Sequence, residues 1–287
     1  MKLPPPAKIN WTLEVLRRRE DGYHEVRTVM QTIDLCDELE FGAGEGVRLE
    51  VDGPHEATED DLVLRAAALL DEGRGRGAQM RLTKWIPVAA GLGGGSSDAA
   101  AALRALNDRR GLSRSAQELS ELAAEIGSDV PFFLCGGTAL VEGRGERVTP
   151  LPDAAQTWLV LLVPPLQLPD KTRRMYAALA EADFTDGSRT ERFVEVIRER
   201  RAVEDGDLYN VFERAAYAVF EELDAYREAL LGAGAQSVHL AGAGPALFAL
   251  GPDEAGARAI RDKVSLPDAR VFVVRTLTAA ESLRREG

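Results

Sequence analysis

Apolar and polar side chains alternate over residues 7–16, where Ala7, Ile9, Trp11, Leu13 and Val15 face Lys8, Asn10, Thr12 and Glu14. This period of two predicts a strand, closed by a turn at Arg19-Glu20-Asp21-Gly22. A second strand is expected from Val26 to Leu35, and β character continues through Leu39-Glu40-Phe41 and Val47 to Val51. Asp61 to Leu70 carries Leu62, Val63, Ala66, Leu69 and Leu70 at helical spacing. A strand-like run (Met80, Leu82, Trp85, Ile86) then leads through a glycine-serine stretch into an alanine-rich helix, expected from near Ser96 to about Asn107. Ser115 to Ile126 is amphipathic, with Ser113 or Ser115 as N-cap, and Gly136 to Val141 reads as a strand.

A domain boundary is expected near Thr149-Pro150-Leu151-Pro152, dividing the chain into residues 1–150 and 151–287. Beyond it, Trp158 to Val163 is a buried strand, Arg173 to Ala182 a helix and Asp183 to Arg189 a loop. Glu191 to Arg201, Val211 to Leu231 and Gly256 to Val264 are expected helices; Val238 to Leu240, Ala246 to Leu250 and Arg270 to Val274 are expected strands. The two kinds of element interleave without an internal repeat, which predicts a mixed α and β fold.

With 287 residues, 45% of them hydrophobic, the chain can bury a sizeable core. Its formal charge of −12 repels nucleic-acid backbones and anionic membranes, so neither is an expected partner. An anionic ligand must therefore be held by local positive groups, and the lysines are only Lys2, Lys8, Lys84, Lys171 and Lys263. Cys36 and Cys135 lie far apart in apolar surroundings, as expected of buried thiols in a reducing cytoplasm. Residues 1–6 lack the apolar core of a secretory signal, and Trp158 to Val163 is too short to span a bilayer, so a cytoplasmic location is expected.

The glycine-serine stretch holds the strongest chemical signal. Pro87, Val88, Ala89, Ala90, Gly91, Leu92, Gly93, Gly94, Gly95, Ser96 and Ser97 join a strand to a helix. Residues without Cβ let backbone N–H groups approach a ligand, and the helix points its positive end at the same place. This predicts a phosphate cradle; the alternative, a flexible linker, seldom runs into so strong a helix. A Walker loop would need lysine where Gly95 stands, and the dinucleotide fingerprint would need glycine at Ser96.

Three other stretches are weak alone. Lys8 sits in an apolar strand start, either snorkelling or reaching into a cleft. Asp129, in Gly127-Ser128-Asp129-Val130-Pro131-Phe132-Phe133, is either a cap or a carboxylate in a dry cleft. His239-Leu240-Ala241-Gly242-Ala243-Gly244-Pro245 places a glycine pair between short strands.

Taken in order, Pro6-Ala7-Lys8-Ile9-Asn10, Asp21-Gly22-Tyr23-His24-Glu25, Pro87 to Asp98, Gly127 to Phe133 and Leu240 to Phe248 resemble the GHMP kinase superfamily of galactokinase, homoserine, mevalonate and phosphomevalonate kinases. The Asp-Gly-Tyr-His block resembles members that phosphorylate a cytidine-diphosphate-linked methylerythritol on the non-mevalonate isoprenoid route. The resemblance implies an α+β, two-domain fold, with an N-terminal domain like ribosomal protein S5 domain 2 and a ferredoxin-like C-terminal domain. It implies ATP and Mg²⁺, a small cytidine diphosphate substrate, and a monomer or weak homodimer. Asp129 would be the general base, with Lys8 beside it holding it ionised and steadying the transferred phosphoryl. Pro87 to Ser97 would bind ATP phosphates, and Ser96 and Ser97 are candidate metal ligands. Tyr23 would stack on cytosine with Tyr176 on its other face, His24 would read the base edge, Thr172 would complete that pocket, and Asn10 and Asp98 would touch the methylerythritol or phosphate region of the substrate. Ala243 stands where the family usually has serine, and Asp170-Lys171 adds charge beside Thr172. Another GHMP kinase of homoserine or mevalonate type would lack the Asp-Gly-Tyr-His block, and a non-catalytic nucleotide-binding module would need neither Lys8 nor Asp129.

Overall fold

The computed structural model describes residues 1–42, 44–53, 58, 60–71 and 77–285. Its first half runs β1 (Lys2–Leu3), β2 (Pro6–Arg18), β3 (His24–Cys36), β4 (Glu38–Gly42), β5 (Val47–Asp52), α1 (Leu62–Leu69), β6 (Ala78–Thr83), α2 (Gly94–Arg109), α3 (Ala116–Ile126), α4 (Val130–Cys135), β7 (Thr138–Gly143) and β8 (Arg147–Pro150). The second half continues with β9 (Trp158–Val163), α5 (Lys171–Ala177), α6 (Ser188–Arg198), β10 (Tyr209–Asn210), α7 (Glu213–Val219), α8 (Leu223–Gly232), β11 (His239–Leu240), β12 (Leu247–Gly251), α9 (Glu254–Lys263), β13 (Arg270–Arg275) and α10 (Ala279–Ser282). The fold is α+β. No described helix is long and apolar enough to cross a membrane.

Three sheets carry these elements, ordered β1-β4-β6-β5, β10-β2-β3-β7-β8 and β11-β12-β9-β13. The division at 150/151 falls between β8 and β9, yet the halves are woven together. β10 pairs in parallel with β2, placing Tyr209 opposite Thr12 and Asn210 opposite Leu13. The chain end returns to the first half as well, where Leu277 N–H donates to the Thr32 carbonyl at 2.9 Å.

The alternating pattern of β2 serves two cores. Ala7, Ile9 and Trp11 pack with Ile86, Ala90, Leu92, Leu161, Ala241 and Phe248, in a cluster that joins the halves beneath the glycine loop. The register shifts between Asn10 and Thr12, and past this bulge Leu13 and Val15 join the second half's core instead. Strand period two leaves Lys8 and Asn10 on the opposite side from Ala7 and Ile9.

Local departures from the sequence reading have local causes. The alanine-rich helix begins at Gly94, because Gly93 supplies a left-handed cap at φ +74° that starts the helix inside the glycine run. Ser115 rather than Ser113 caps α3, and it forms a capping box with Glu118. The helix expected over 211–231 is two, because the backbone turns out of helix at Phe220 (φ −109°, ψ 88°), whose side chain is buried. Val130–Cys135 is a short helix where only an apolar segment was read, and α5 starts two residues early, at Lys171. Neither cysteine is in a disulfide, and both are half-buried rather than fully enclosed.

Candidate active site

Two cavities meet at the glycine loop. The larger, about 580 Å³, is lined by Pro87 to Ser96 and Asp98, with Val51, Leu62, Leu82 and Ile86 as an apolar wall and Thr58, Asp60, Asp61 and Lys84 as polar edges. The smaller, about 170 Å³, includes Lys8, Asn10, Gly91, Gly93, Asp129, Arg144, Lys171, Thr172, Tyr176 and Ala243. Gly91 and Gly93 belong to both, so a phosphate chain lying on the loop faces whatever the smaller cavity holds.

Close packing explains the glycines. A Cβ on Gly91 would stand 2.3 Å from the Ala241 carbonyl oxygen, and one on Gly93 would stand 2.8 Å from Phe133 Cζ and 3.1 Å from Lys8 Cγ. Both residues have positive φ, at +89° and +74°. The loop is also tied by backbone bonds, from Lys8 N–H to the Leu92 carbonyl at 2.9 Å and from Ala246 N–H to the Ala90 carbonyl at 3.1 Å. Ser96 lines the larger cavity. Ser97 lies behind it, buried, and its hydroxyl has no hydrogen-bond partner among the described residues.

Lys8 reaches into the smaller cavity. Its Nζ donates to Asn10 Oδ1 at 2.8 Å and lies 3.7 Å from Asp129 Oδ2. Asn10 in turn donates to Thr28 Oγ1 at 2.8 Å, which fixes its amide. Burial pushes the Lys8 pKa down, against the pull of Asp129. Asp129 stands at the N-terminus of α4 but makes no capping bond. Its carboxylate faces Lys8 instead, which decides between the cap and cleft readings.

Asp98 was expected to touch the methylerythritol or the phosphates. It lines the larger cavity and not the smaller, because the first turn of α2 points it at the residue that follows β6, where Lys84 Nζ bonds Asp98 Oδ2 at 2.6 Å and also Asp37. Asp37 accepts in addition from the Trp85 and Ile86 N–H groups, at 2.6 and 2.8 Å. Burial pushes the Asp98 pKa up to about 8, Lys84 pulling it down and Asp37 pushing it further up. Burial disfavours the Lys84 charge, but Asp98 and Asp37 together raise its pKa above the ordinary lysine value.

The aromatic group differs from expectation. Tyr23 is exposed, with the Arg144 guanidinium 4.9 Å above its ring. Its expected partner Tyr176 has one face covered by His24, at 4.6 Å and 21° between planes, and meets Phe212 edge-on at 4.9 Å. The reason is positional: β3 opens at His24 directly over the side chain that α5 carries inward. Burial and then Arg18 lower the His24 pKa, favouring the neutral ring. Phe184 meets His24 edge-on at 6.0 Å, a neighbour that the sequence reading left in a loop. Thr172 lines the smaller cavity as expected, and Ala243 presents a methyl there.

Sequence reading passed over Lys84, Asn210 and Lys171. Asn210 donates to the Leu240 and Gly242 carbonyls at 2.9 and 2.8 Å and so holds the second glycine turn. A lone Asn between helices gives no pattern to find. The two lysines were legible only as members of a small set: three of the chain's five lysines line these cavities.

Comparison with known proteins places the fold in a family. The model of the GHMP kinases N terminal domain matches residues 61–137, and that of the GHMP kinases C terminal matches residues 194–267. The 4-diphosphocytidyl-2-C-methyl-D-erythritol kinase of Dehalococcoides mccartyi (strain ATCC BAA-2266 / KCTC 15142 / 195) is 44% identical over 280 residues, covering 96% of this chain and 98% of that protein. The enzyme of the same name from Symbiobacterium thermophilum is 43% identical over 286 residues, covering 96% of this chain and all of that one (100%). A crystal structure of 4-(cytidine 5'-diphospho)-2C-methyl-D-erythritol kinase superposes with a TM-score of 0.82 at 34% identity, over 96% of this chain and 99% of that one. Homoserine kinase from Cytophaga hutchinsonii shares the fold at a TM-score of 0.65 and 20% identity, over 96% of each chain. Matched by both domain models and along nearly its whole length by these kinases, the chain belongs to the GHMP kinase family.

Proposed function

We propose that the protein transfers the γ-phosphoryl group of ATP to the 2-hydroxyl of 4-(cytidine 5'-diphospho)-2-C-methyl-D-erythritol, a step of non-mevalonate isoprenoid synthesis. The full-length identity to kinases of that name supports the substrate. The observation that carries the chemistry is the Lys8–Asp129 pair, 3.7 Å apart, where the smaller cavity meets the phosphate loop. Neither group is needed for binding nucleotide alone.

Phosphoryl transfer asks the protein chiefly for positioning and electrostatics. The acceptor hydroxyl lies in the smaller cavity, and its oxygen attacks the γ-phosphorus as the bond to the β-bridging oxygen breaks. The hydroxyl proton passes to the Asp129 carboxylate, and ADP leaves with the bridging oxygen. Lys8 faces both the carboxylate and the incoming phosphoryl, held in place by Asn10. On the nucleotide side, the N–H groups at the start of α2 receive the phosphates and the apolar wall of Val51, Leu62, Leu82 and Ile86 takes the base.

Asp60, Asp61 and Asp98 outnumber Lys84 along that cavity. No cluster of three metal-ligating side chains occurs among the described residues. This donor set fits a Mg²⁺ ion that the phosphates would largely hold, with Ser96 at the cavity wall as the side chain that would reach it. When bound, the ion neutralises the phosphate charge that the chain leaves uncompensated. For the cytidine end, Tyr23, His24 and Phe184 offer stacking faces and a neutral imidazole edge, and Tyr176 backs His24.

Asp129→Asn tests the reading. General-base loss predicts a fall in kcat of about 10²–10⁴-fold with ATP affinity retained. Near-normal turnover in that variant would refute the role of Asp129. Turnover of homoserine or mevalonate, without turnover of the cytidyl substrate, would refute the acceptor.

A further inference from the structure

Lys171 has no part in the reaction as described, yet three pieces of the site meet at its ammonium. Its Nζ donates to the Ala89 carbonyl at 2.7 Å and to the Gly244 carbonyl. Ala89 belongs to the phosphate loop, whereas Gly244 belongs to the turn that carries Ala243 into the acceptor cavity. Lys171 itself opens α5 and lines that cavity with Lys8, Asp129 and Arg144.

The point of attachment on the loop is unusual. Ala89 has φ +57°, a left-handed conformation that a residue with a Cβ adopts only when its surroundings hold it there. Among the hydrogen bonds that tie the loop to the rest of the site, those at Ala90 and Leu92 are made by backbone N–H groups. The bond at Ala89 comes from a side chain, and that side chain is charged. Two of the three ammonium protons go to carbonyls, and the charge remains beside Lys8 and Asp129.

We propose that Lys171 is a positioning residue for phosphoryl transfer, which clamps the phosphate loop to the 241–245 turn and brings a second cation to the Lys8–Asp129 pair. The inference rests on the kinase reading above. It assigns a distinct task to each of the three cleft lysines: Lys84 braces α2 from behind, Lys8 faces the reacting groups, and Lys171 sets the distance between the two cavities.

The charge gives the clamp a pH signature. Burial, and then the Lys8 charge, push the Lys171 pKa down to about 8, with Asp129 opposing. The groups facing it are Lys8 from β2, Asp129 ahead of α4, Arg144 from the turn after β7, and Tyr176 on its own helix. The glycine loop and the 241–245 turn bring only carbonyls. Raising the pH through 8 removes the charge and weakens both bonds, so kcat/KM for ATP falls on that limb.

Lys171→Met tests this with two readouts, steady-state kinetics from pH 6.5 to 9.5 and ATP affinity by calorimetry in the absence of acceptor. A loop displaced on the ångström scale costs about 10²-fold in kcat/KM. We expect a loss of that order at pH 7, weaker ATP binding, and disappearance of the alkaline limb. A variant within about threefold of wild type at pH 7, or one that loses activity while keeping the wild-type alkaline limb, overturns the proposal. A wild-type profile that is flat from pH 7 to 9.5 overturns it as well. Calorimetry separates this failure from that of the kinase reading. Weaker ATP binding in Lys171→Met, with no turnover of the cytidyl substrate by wild type, upholds the clamp and refutes the acceptor. Normal turnover by wild type and unchanged ATP binding in the variant refute the clamp alone.

Discussion

Replacing Gly91 with alanine puts a methyl group where the phosphate loop already touches its neighbour. The new Cβ would stand 2.3 Å from the Ala241 carbonyl oxygen and 3.1 Å from both the nitrogen and the oxygen of Gly244. All three are backbone atoms, so no side-chain rotation relieves the contact. Restoring an ordinary carbon–oxygen separation of about 3.3 Å requires a shift of about 1 Å. The left-handed backbone at φ +89° adds about 1–2 kcal/mol for any residue with a Cβ. The turn cannot retreat freely, because Asn210 holds its carbonyls and Ala246 bonds the loop. The loop must move, and with it the N–H groups that meet the phosphates. A displacement of about 1 Å predicts a loss near 10²-fold in kcat/KM for ATP. Melting should fall as well, by about 2–4 °C per kcal/mol for a chain of this size. Gly22→Ala is the control, since Gly22 has φ +85° with nothing within 4 Å and so carries the conformational cost alone. Calorimetric melting and ATP-dependent kinetics on both variants separate the two terms. A Gly91→Ala enzyme with the ATP kinetics of Gly22→Ala would refute the argument that this contact positions the phosphates.

Two further predictions concern stability. Lys84→Met leaves Asp37 and Asp98 facing each other, both buried, without the cation between them. Urea unfolding should show a loss of about 3–5 kcal/mol, partly recovered in Lys84→Met/Asp98→Asn; a single variant within about 1 kcal/mol of wild type would contradict the reading. His239 Nε2 donates to Asp205 Oδ1 at 2.9 Å; burial opposes its charge, but Glu213 and Asp205 raise its pKa above the ordinary value. Its folded pKa is above the unfolded one, so the stabilisation is fully present below about pH 6.5 and is lost as pH rises through the folded value. Asp205→Asn should therefore lower Tm at pH 5.5 and leave it unchanged at high pH; an equal drop at both would rule out the ionic part.

Much of the site was legible because its residues carry chemistry in runs. The glycine-serine loop announced an anion site through missing Cβ atoms and a following helix, both local properties of backbone geometry. The same holds for the capping box at Ser115 and Glu118, which needs only three residues of spacing. Asp129 was ambiguous because a carboxylate at a helix start has the same sequence signature whether it caps or not. The difference lies in Lys8, more than a hundred residues away, drawing the carboxylate into the cleft. Asp98 was left between the methylerythritol and the phosphates for a related reason: its side of α2 was known only once the residue after β6, Lys84, came against it.

The sequence alone determined that the chain mixes α and β, pointed to residues 87–97 as an anion cradle, and through its resemblance to a kinase family grouped Lys8, Asp129 and the Tyr23-His24 pair. These follow from periodicity, backbone freedom and motif order, none of which requires knowing what lies across the fold. Only the tertiary structure decided which groups face each other. It set Asp129 against Lys8, gave the face of Tyr176 to His24, and brought Lys171 from the second half onto the phosphate loop. Such contacts depend on how β2 is shared between two cores and how β10 joins the first half's sheet. Long-range pairing of that kind leaves no periodic trace in the chain, because its energy comes from burial and charge met across the cleft.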